Sequence, residues 1–192
     1  MIYHGIDIGE CRYNRGGDYR KKPIDHVPEG ITGLIDFCEE NVTKESVVLE
    51  TGCFFAASTF IFSKFARFVI SVDTRIRPEA TQWIEECMPN VMTIVSDSSR
   101  VKSMLSGNKF DIVYLDTLHT EDHVSREIAE LLPLVKYGGI LAGHDYSTKP
   151  GYGVVQAVQK MLGSPDKVYK DSSWLKRIRT AMAKKPEKKA NK

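Results

Sequence analysis

Five acidic residues each follow a short apolar stretch: Glu50 after 47–49, Asp73 after 68–72, Asp97 just past 91–95, Asp116 after 110–115, and Asp145, preceded by His144, after 140–143. Carboxylates at the carboxyl tips of parallel strands face the crevice in which open α/β sheets bind ligands. A row of them repels itself unless ammonium groups, hydroxyls or cations occupy it. Asp73 lies 23 positions after Glu50, the spacing at which a strand tip offers a carboxylate to ribose hydroxyls. A helix cap or a loop acid would explain any one of these residues; their succession at one edge points to a site. Between the first two, Gly52 permits close backbone approach, and the amides opening a helix at 57–66 point at whatever lies above the turn. A dinucleotide fingerprint would want glycines at 52, 54 and 57, where this chain has Gly52, Phe54 and Ala57, so Phe54 crowds a pyrophosphate. The acid at 50 suits an ammonium better than a phosphate dianion, which favours an amino-acid-bearing cofactor over NAD.

The elements that position these groups follow from periodicity. Ile31, Leu34, Ile35 and Cys38 recur at helical spacing and predict an amphipathic helix over 29–40, with Pro28 at its entrance. Strands are expected at 47–50, 68–73, 91–95, 110–115 and 137–143. Helices at 57–66, 78–87, 98–106, 121–135 and 153–162 alternate with them. Two short strand candidates, 167–170 and 173–178, have so short a connection that they must pair antiparallel. Apolar strands separated by helices imply a parallel sheet covered on both faces. The expected fold is α/β, a three-layer Rossmann-like arrangement whose seven-stranded, mostly parallel sheet ends in an antiparallel hairpin. Residues 1–27 are read as an arm or lid, 28–180 as the domain and 181–192 as a basic tail.

Across 28–178 the residues resemble class I S-adenosylmethionine-dependent methyltransferases, and among them the family-24-type methyltransferase domains. The stretch Glu50-Thr51-Gly52 through Ser58-Thr59 looks like motif I, Val72-Asp73 like the ribose-binding acid, and Ser96-Asp97-Ser98 like the adenine-proximal segment. Most specific are the runs 110–116, with His119 following, and 138–146, with its Gly138-Gly139 and His144-Asp145-Tyr146; Gly153-Val154, Ala157-Val158 and Ser173-Trp174 also fit. The resemblance implies S-adenosylmethionine as cofactor, with Glu50, Gly52 and Ser58 at its methionine end, Asp73 on the ribose, and Asp97 with Ser98 near the adenine. Ala56 departs from the pattern, where the family usually has a second glycine. Some relatives hold magnesium with acids after the fourth and fifth strands; Asp116 and Asp145 match those positions, and His119 matches a nearby histidine base. On that reading the acceptor is a hydroxyl on a small molecule and Asp116 and His119 are catalytic. On the other, Asp116 caps its loop and contacts the cofactor amine, while His119 and His144 bond loops. Tyr146 and Trp174 are pocket walls or packing, and His26 and His123 are surface or loop residues.

Bulk properties exclude other classes. Apolar residues make up 42% and charged residues 27%, and no apolar run is long enough to span a membrane, so a soluble cytoplasmic protein is expected. Cys11, Cys38, Cys53 and Cys87 lack metal-site or disulfide spacing and read as reduced thiols. The net charge of +2 is peripheral: 183–192 carry five lysines and one glutamate, 1–22 carry five basic and three acidic residues, and 23–182 are left at −4. That argues against a nucleic-acid groove across the fold. Two competing classes remain. An NAD- or nucleotide-sugar-linked oxidoreductase is disfavoured by Phe54 and by the lack of a Tyr-x-x-x-Lys pair; an inactive cofactor-binding scaffold draws on Ala56. A homo-oligomer whose second copy completes the pocket is also open.

Overall fold

The computed structural model describes residues 2–3, 6–7 and 27–179, with side chains from residue 31 onward. The 12–19 segment expected to form a lid, His26, Cys11 and the lysine-rich tail lie outside the described residues. The elements in chain order are β1 (Ile2–Tyr3), β2 (Ile6–Asp7), α1 (Val27–Asn41), β3 (Val47–Thr51), α2 (Ala57–Phe65), β4 (Phe68–Asp73), α3 (Pro78–Cys87) and β5 (Val91–Val95). Then come α4 (Val101–Met104), β6 (Phe110–Leu115), α5 (Glu121–Leu131), β7 (Val135–Gly143), α6 (Val154–Leu162), β8 (Lys167–Val168) and β9 (Trp174–Arg177). β1 and β2 pair with each other as a small antiparallel ribbon.

The seven-stranded sheet has the order β5-β4-β3-β6-β7-β9-β8. Pairing is parallel from β5 through β7, and β9 runs antiparallel to both β7 and β8, so the hairpin occupies one edge as the short 169–173 connection requires. Side chains alternate across each strand. Val48, Ile112, Tyr114 and Ala142 pack with Phe37 of α1, Phe60 of α2 and Trp83 of α3. Leu49, Val113 and Leu141 pack on the other face with Val101, Val124, Ile128 and Val158. Most of these are fully buried, and each large aliphatic side chain among them contributes roughly 1.5–3 kcal/mol.

Chain order reverses between β3 and β6, which places the crevice above their carboxyl ends. Two expected boundaries shift for local reasons. The helix expected over 98–106 is a 3-10 turn at Ser98–Arg100 followed by the four-residue α4. The helix expected over 121–135 stops at Leu131, gives way to a 3-10 turn around Pro133, which cannot continue the hydrogen-bond ladder, and leaves Val135 to open β7.

Candidate functional site

The crevice is built on a close main-chain contact at the switch point. Gly52 has φ +99°, and a Cβ placed on it would lie 1.8 Å from the carbonyl oxygen of Asp116. Only glycine lets the loop after β3 rest on the loop after β6. Main-chain bonds seal that approach: Asp116 N–H donates to Thr51 O at 2.9 Å and Gly52 N–H to Val72 O at 2.8 Å. The turn then climbs through two residues in left-handed conformation, Phe54 at φ 43° and Ala56 at φ 63°. Ala56 precedes α2 directly, and its side chain makes no capping hydrogen bond to that helix.

Glu50 points down from the strand tip, onto the α2 face, and is fully buried. Its Oε2 accepts hydrogen bonds from Thr59 Oγ1 at 2.5 Å and Ser71 Oγ at 2.6 Å, while Oε1 is buried without a partner. Burial pushes its carboxyl up to about 7, against the pull of the Ser58, Ser71 and Thr59 hydroxyls in the other direction. Asp73 spends its oxygens on the turn, accepting from the Phe54 amide at 2.9 Å and the Arg75 amide at 3.0 Å, which keeps lone pairs for a further donor. Asp97 is exposed and caps the 98–100 turn by accepting from the Ser99 amide at 2.9 Å. The five acids therefore do not form one continuous acidic surface.

What the fold does gather is Asp116, His119, His144 and Asp145. His119 Nε2 lies 2.8 Å from Asp145 Oδ2 and 3.8 Å from Asp116 Oδ1; His144 Nδ1 lies 3.4 Å from Asp145 Oδ2 and 4.0 Å from Asp116 Oδ1. Asp116, and then Asp145, raise His119 to about 10 despite partial burial. Burial would lower His144, yet Asp145 and Asp116 bring it to about 9. Burial alone would raise Asp145, but the two imidazoles hold it well below the usual carboxylate range. Asp145 is held at φ 58°, with neighbouring amides fixed by bonds from His144 to Leu115 O and from Tyr146 to Ser172 O, both at 3.0 Å. Tyr152 lies against the His119 ring with centroids 4.8 Å apart, and the Gly153 amide donates to His119 O at 2.7 Å.

Donor atoms of Asp116, His144 and Asp145 all lie within 4.8 Å of one another, a spacing that fits a divalent cation. The mixed carboxylate and imidazole set suits Mn²⁺, Fe²⁺ or Zn²⁺ as well as Mg²⁺. The sequence places His144 with Asp145 at a strand tip and has it bond loops on the reading without a metal; its position after β7, one residue before Asp145, is the signal that adds it to the candidate ligands. His123, expected at the surface, is mostly enclosed and bonds Thr117 Oγ1 at 3.0 Å beside the buried Glu127. Trp174 is core, with its indole N–H unpaired, whereas Tyr146 is half-buried against the α6 side.

No helix among the described residues is long and apolar enough to cross a membrane. A family pattern described as a methyltransferase domain matches residues 49–146, half of the chain, from the last residues of β3 through the His144-Asp145-Tyr146 loop. Among solved structures, an rRNA methylase from Streptococcus thermophilus is similar at 16% identity and a TM-score of 0.58, covering 74% of this chain and 84% of that one. A methyltransferase-like protein of Streptococcus mutans, solved with S-adenosylhomocysteine, is similar at 16% identity and TM-score 0.58, over 72% and 83%. A TDP-rhamnose 3′-O-methyltransferase of calicheamicin biosynthesis is similar at 14% identity and TM-score 0.57, over 75% and 76%. At such identities these likenesses show the fold. No curated protein sequence matches the chain. With the pattern spanning the whole crevice from Leu49 to Tyr146, the chain belongs to the methyltransferase-domain family and is an S-adenosylmethionine-dependent methyltransferase.

Proposed function

We propose that the protein methylates a hydroxyl of a small-molecule acceptor, with S-adenosylmethionine seated over Gly52 and the acceptor beside His119. One observation carries this reading: the cofactor turn rests on the main chain of Asp116, the residue that begins the loop bearing His119, so donor site and proton-handling cluster share one wall. Bound S-adenosylmethionine supplies an electrophilic methyl group; the chain has to seat it, orient the acceptor oxygen and manage its proton. The unpartnered Glu50 Oε1 is suited to the methionine ammonium, whose charge would draw the carboxyl down from about 7. Asp73 is suited to the ribose hydroxyls, and Asp97 with Ser98 to the adenine edge.

With both neighbouring carboxylates bare, His119 is an imidazolium at neutral pH and donates rather than accepts a proton. It takes the acceptor's proton at Nε2 only once Asp145 Oδ2 is engaged by another partner. A divalent cation held by Asp116, Asp145 and His144 would supply positive charge that eases ionisation of the acceptor hydroxyl. Calorimetry with S-adenosylmethionine, S-adenosylhomocysteine and NAD tests the cofactor; NAD binding without response to the other two would sink the reading. Transfer of labelled methyl to a panel of hydroxyl compounds, beginning with nucleotide sugars in view of the TDP-rhamnose enzyme, tests the acceptor. Running wild type and Asp145→Ala with and without Mg²⁺ or Mn²⁺ tests the cluster; equal, metal-independent rates would remove hydroxyl activation.

A further inference from the structure

The apolar face of α5 carries Val124, Ile128 and Leu131, and in its midst, three residues after Val124, stands Glu127. An acid on the buried stripe of a helix is costly unless its oxygens are used, and Glu127 is only 4% exposed. Thr117 Oγ1 donates to Glu127 Oε2 at 2.5 Å, and His123 Nε2 lies 3.0 Å from the same hydroxyl and 3.6 Å from Oε2. Burial raises the carboxyl's affinity for protons, against the downward pull of the Thr117 and Ser98 hydroxyls, His123 and the Thr51 hydroxyl. Even so, Glu127 Oε1 and Thr51 Oγ1 are buried with no partner at hydrogen-bond distance.

These hydroxyls come from three separate strand tips. Thr51 ends β3 and precedes Gly52; Ser98 follows β5 and precedes α4; Thr117 follows β6 and adjoins Asp116. Helix α5 packs directly on the 98–100 turn. Glu127 thus lies beneath the crevice, opposite Glu50, which occupies the other face of the same β3 tip. Nothing in the proposed chemistry uses it, and an apolar residue would pack the stripe at lower desolvation cost.

We propose that Glu127 is a positioning residue for the cofactor's nucleoside half: by holding Thr117 and facing Thr51 and Ser98, it sets the spacing of the three loops that border the pocket. The inference rests on the S-adenosylmethionine reading. Two loose ends, Glu127 Oε1 and Thr51 Oγ1, become paired when the loops settle on the bound nucleoside, so the network favours the occupied state over the empty one. His123 Nε2 bonds the same Thr117 hydroxyl, beside the carboxylate.

The test is the affinity of the full chain for S-adenosylhomocysteine, measured by calorimetry, for wild type, Glu127→Gln, Thr117→Val and the double variant, with a melting curve for each. Loss of one hydrogen bond typically costs on the order of five- to tenfold in an equilibrium constant. Each single variant should weaken binding by about that factor, and the double variant by little more than either alone, since both break one unit. Ile128→Val, which thins the core one residue along α5, should lower the melting temperature yet leave affinity within about twofold. Unchanged affinity in folded Glu127→Gln and Thr117→Val, or a loss in Ile128→Val as large as theirs, would overturn the proposal while leaving the cofactor reading standing. If Glu127→Gln does not fold, Thr117→Val, which removes the hydroxyl at nearly constant shape, carries the test. No binding by wild type would overturn the cofactor reading and this inference with it.

Discussion

Ala56 sits fully buried at φ 63°, a backbone conformation that favours glycine, and two opposing effects decide what replacement does there. Left-handed backbone costs a non-glycine residue roughly 1–2 kcal/mol. Glycine would relieve that but lose about 0.8 kcal/mol of buried methyl and about 0.4–1 kcal/mol through unfolded-state entropy. The terms nearly cancel, so Ala56→Gly should shift the melting temperature by no more than about 3 °C. Ala56→Val adds branching that left-handed backbone resists, at a fully buried position, and should cost about 3 kcal/mol, or 6–12 °C. A thermal scan of the pair decides it: a large gain for glycine would mean the turn is more strained than its backbone angles imply. Glu50 offers a second residue-scale prediction. The folded protein keeps its proton up to about pH 7, whereas an unfolded glutamate releases it near 4.3. The native state therefore binds more protons between those values, and the stability owed to this group falls as pH rises from about 4 to about 7, then levels off. Glu50→Gln should melt progressively higher relative to wild type across that window in cofactor-free protein. A pH-independent difference would show the carboxyl ionised throughout. The downward direction of Glu50 was legible in principle: it alternates with Leu49 and shares a face with Val48, hence with α2. An acid at a strand tip nevertheless suggests a ligand before it suggests burial.

At the scale of elements, strands with mainly apolar, β-branched-rich runs, such as 68–73, 91–95 and 110–115, form with the predicted ends, because turn residues and charges bracket them. Helix lengths were less legible where tertiary contacts intervene. Within 98–106, Val101, Met104 and Leu105 recur at helical spacing, yet only Val101 finds a buried place and the element ends after one turn. α1 shows the converse, a helix fixed from outside. Its Leu34 amide donates to Asp171 Oδ2 at 2.6 Å, and Asp171 Oδ1 accepts from the Ser173 amide at 2.9 Å. Gly33 is what lets the carboxylate approach, since a Cβ there would meet Asp171 Oδ1 at 2.1 Å. No local pattern links residues 137 positions apart, so this tie was invisible in the sequence. Asp171→Ala should cost about 1–3 kcal/mol, the penalty of leaving buried donors unpaired. Hydrogen exchange checks it residue by residue: Leu34 and Ser173 should lose protection before the strands of the sheet do.

At the scale of the whole molecule, the crevice exists only when both halves of the sheet are assembled. Gly52 and Glu50 belong to β3 and the half that continues through β4 and β5; Asp116, His119 and Asp145 belong to β6, β7 and the half beyond. That the strands would end at one edge was legible from chain order and handedness. Which of their tip residues would meet was not, because pairing of His119 with Asp145 depends on the lateral neighbouring of β6 and β7 and on the left-handed backbone at Asp145. An unfolded chain therefore has no site, and ligand binding adds wholly to folding stability. At a concentration one hundred times its dissociation constant, S-adenosylhomocysteine should stabilise the protein by about 2.7 kcal/mol. For a chain of this length that is a rise of roughly 5–11 °C in melting temperature. Gly52→Ala places a methyl 1.8 Å from Asp116 O and so drives the two halves apart at the point where the ligand bridges them. It should melt below wild type and lose the ligand-induced rise. A folded Gly52→Ala that keeps the full rise would show that the ligand is held by one half alone, because only a site spanning the switch point responds to separation of its two walls.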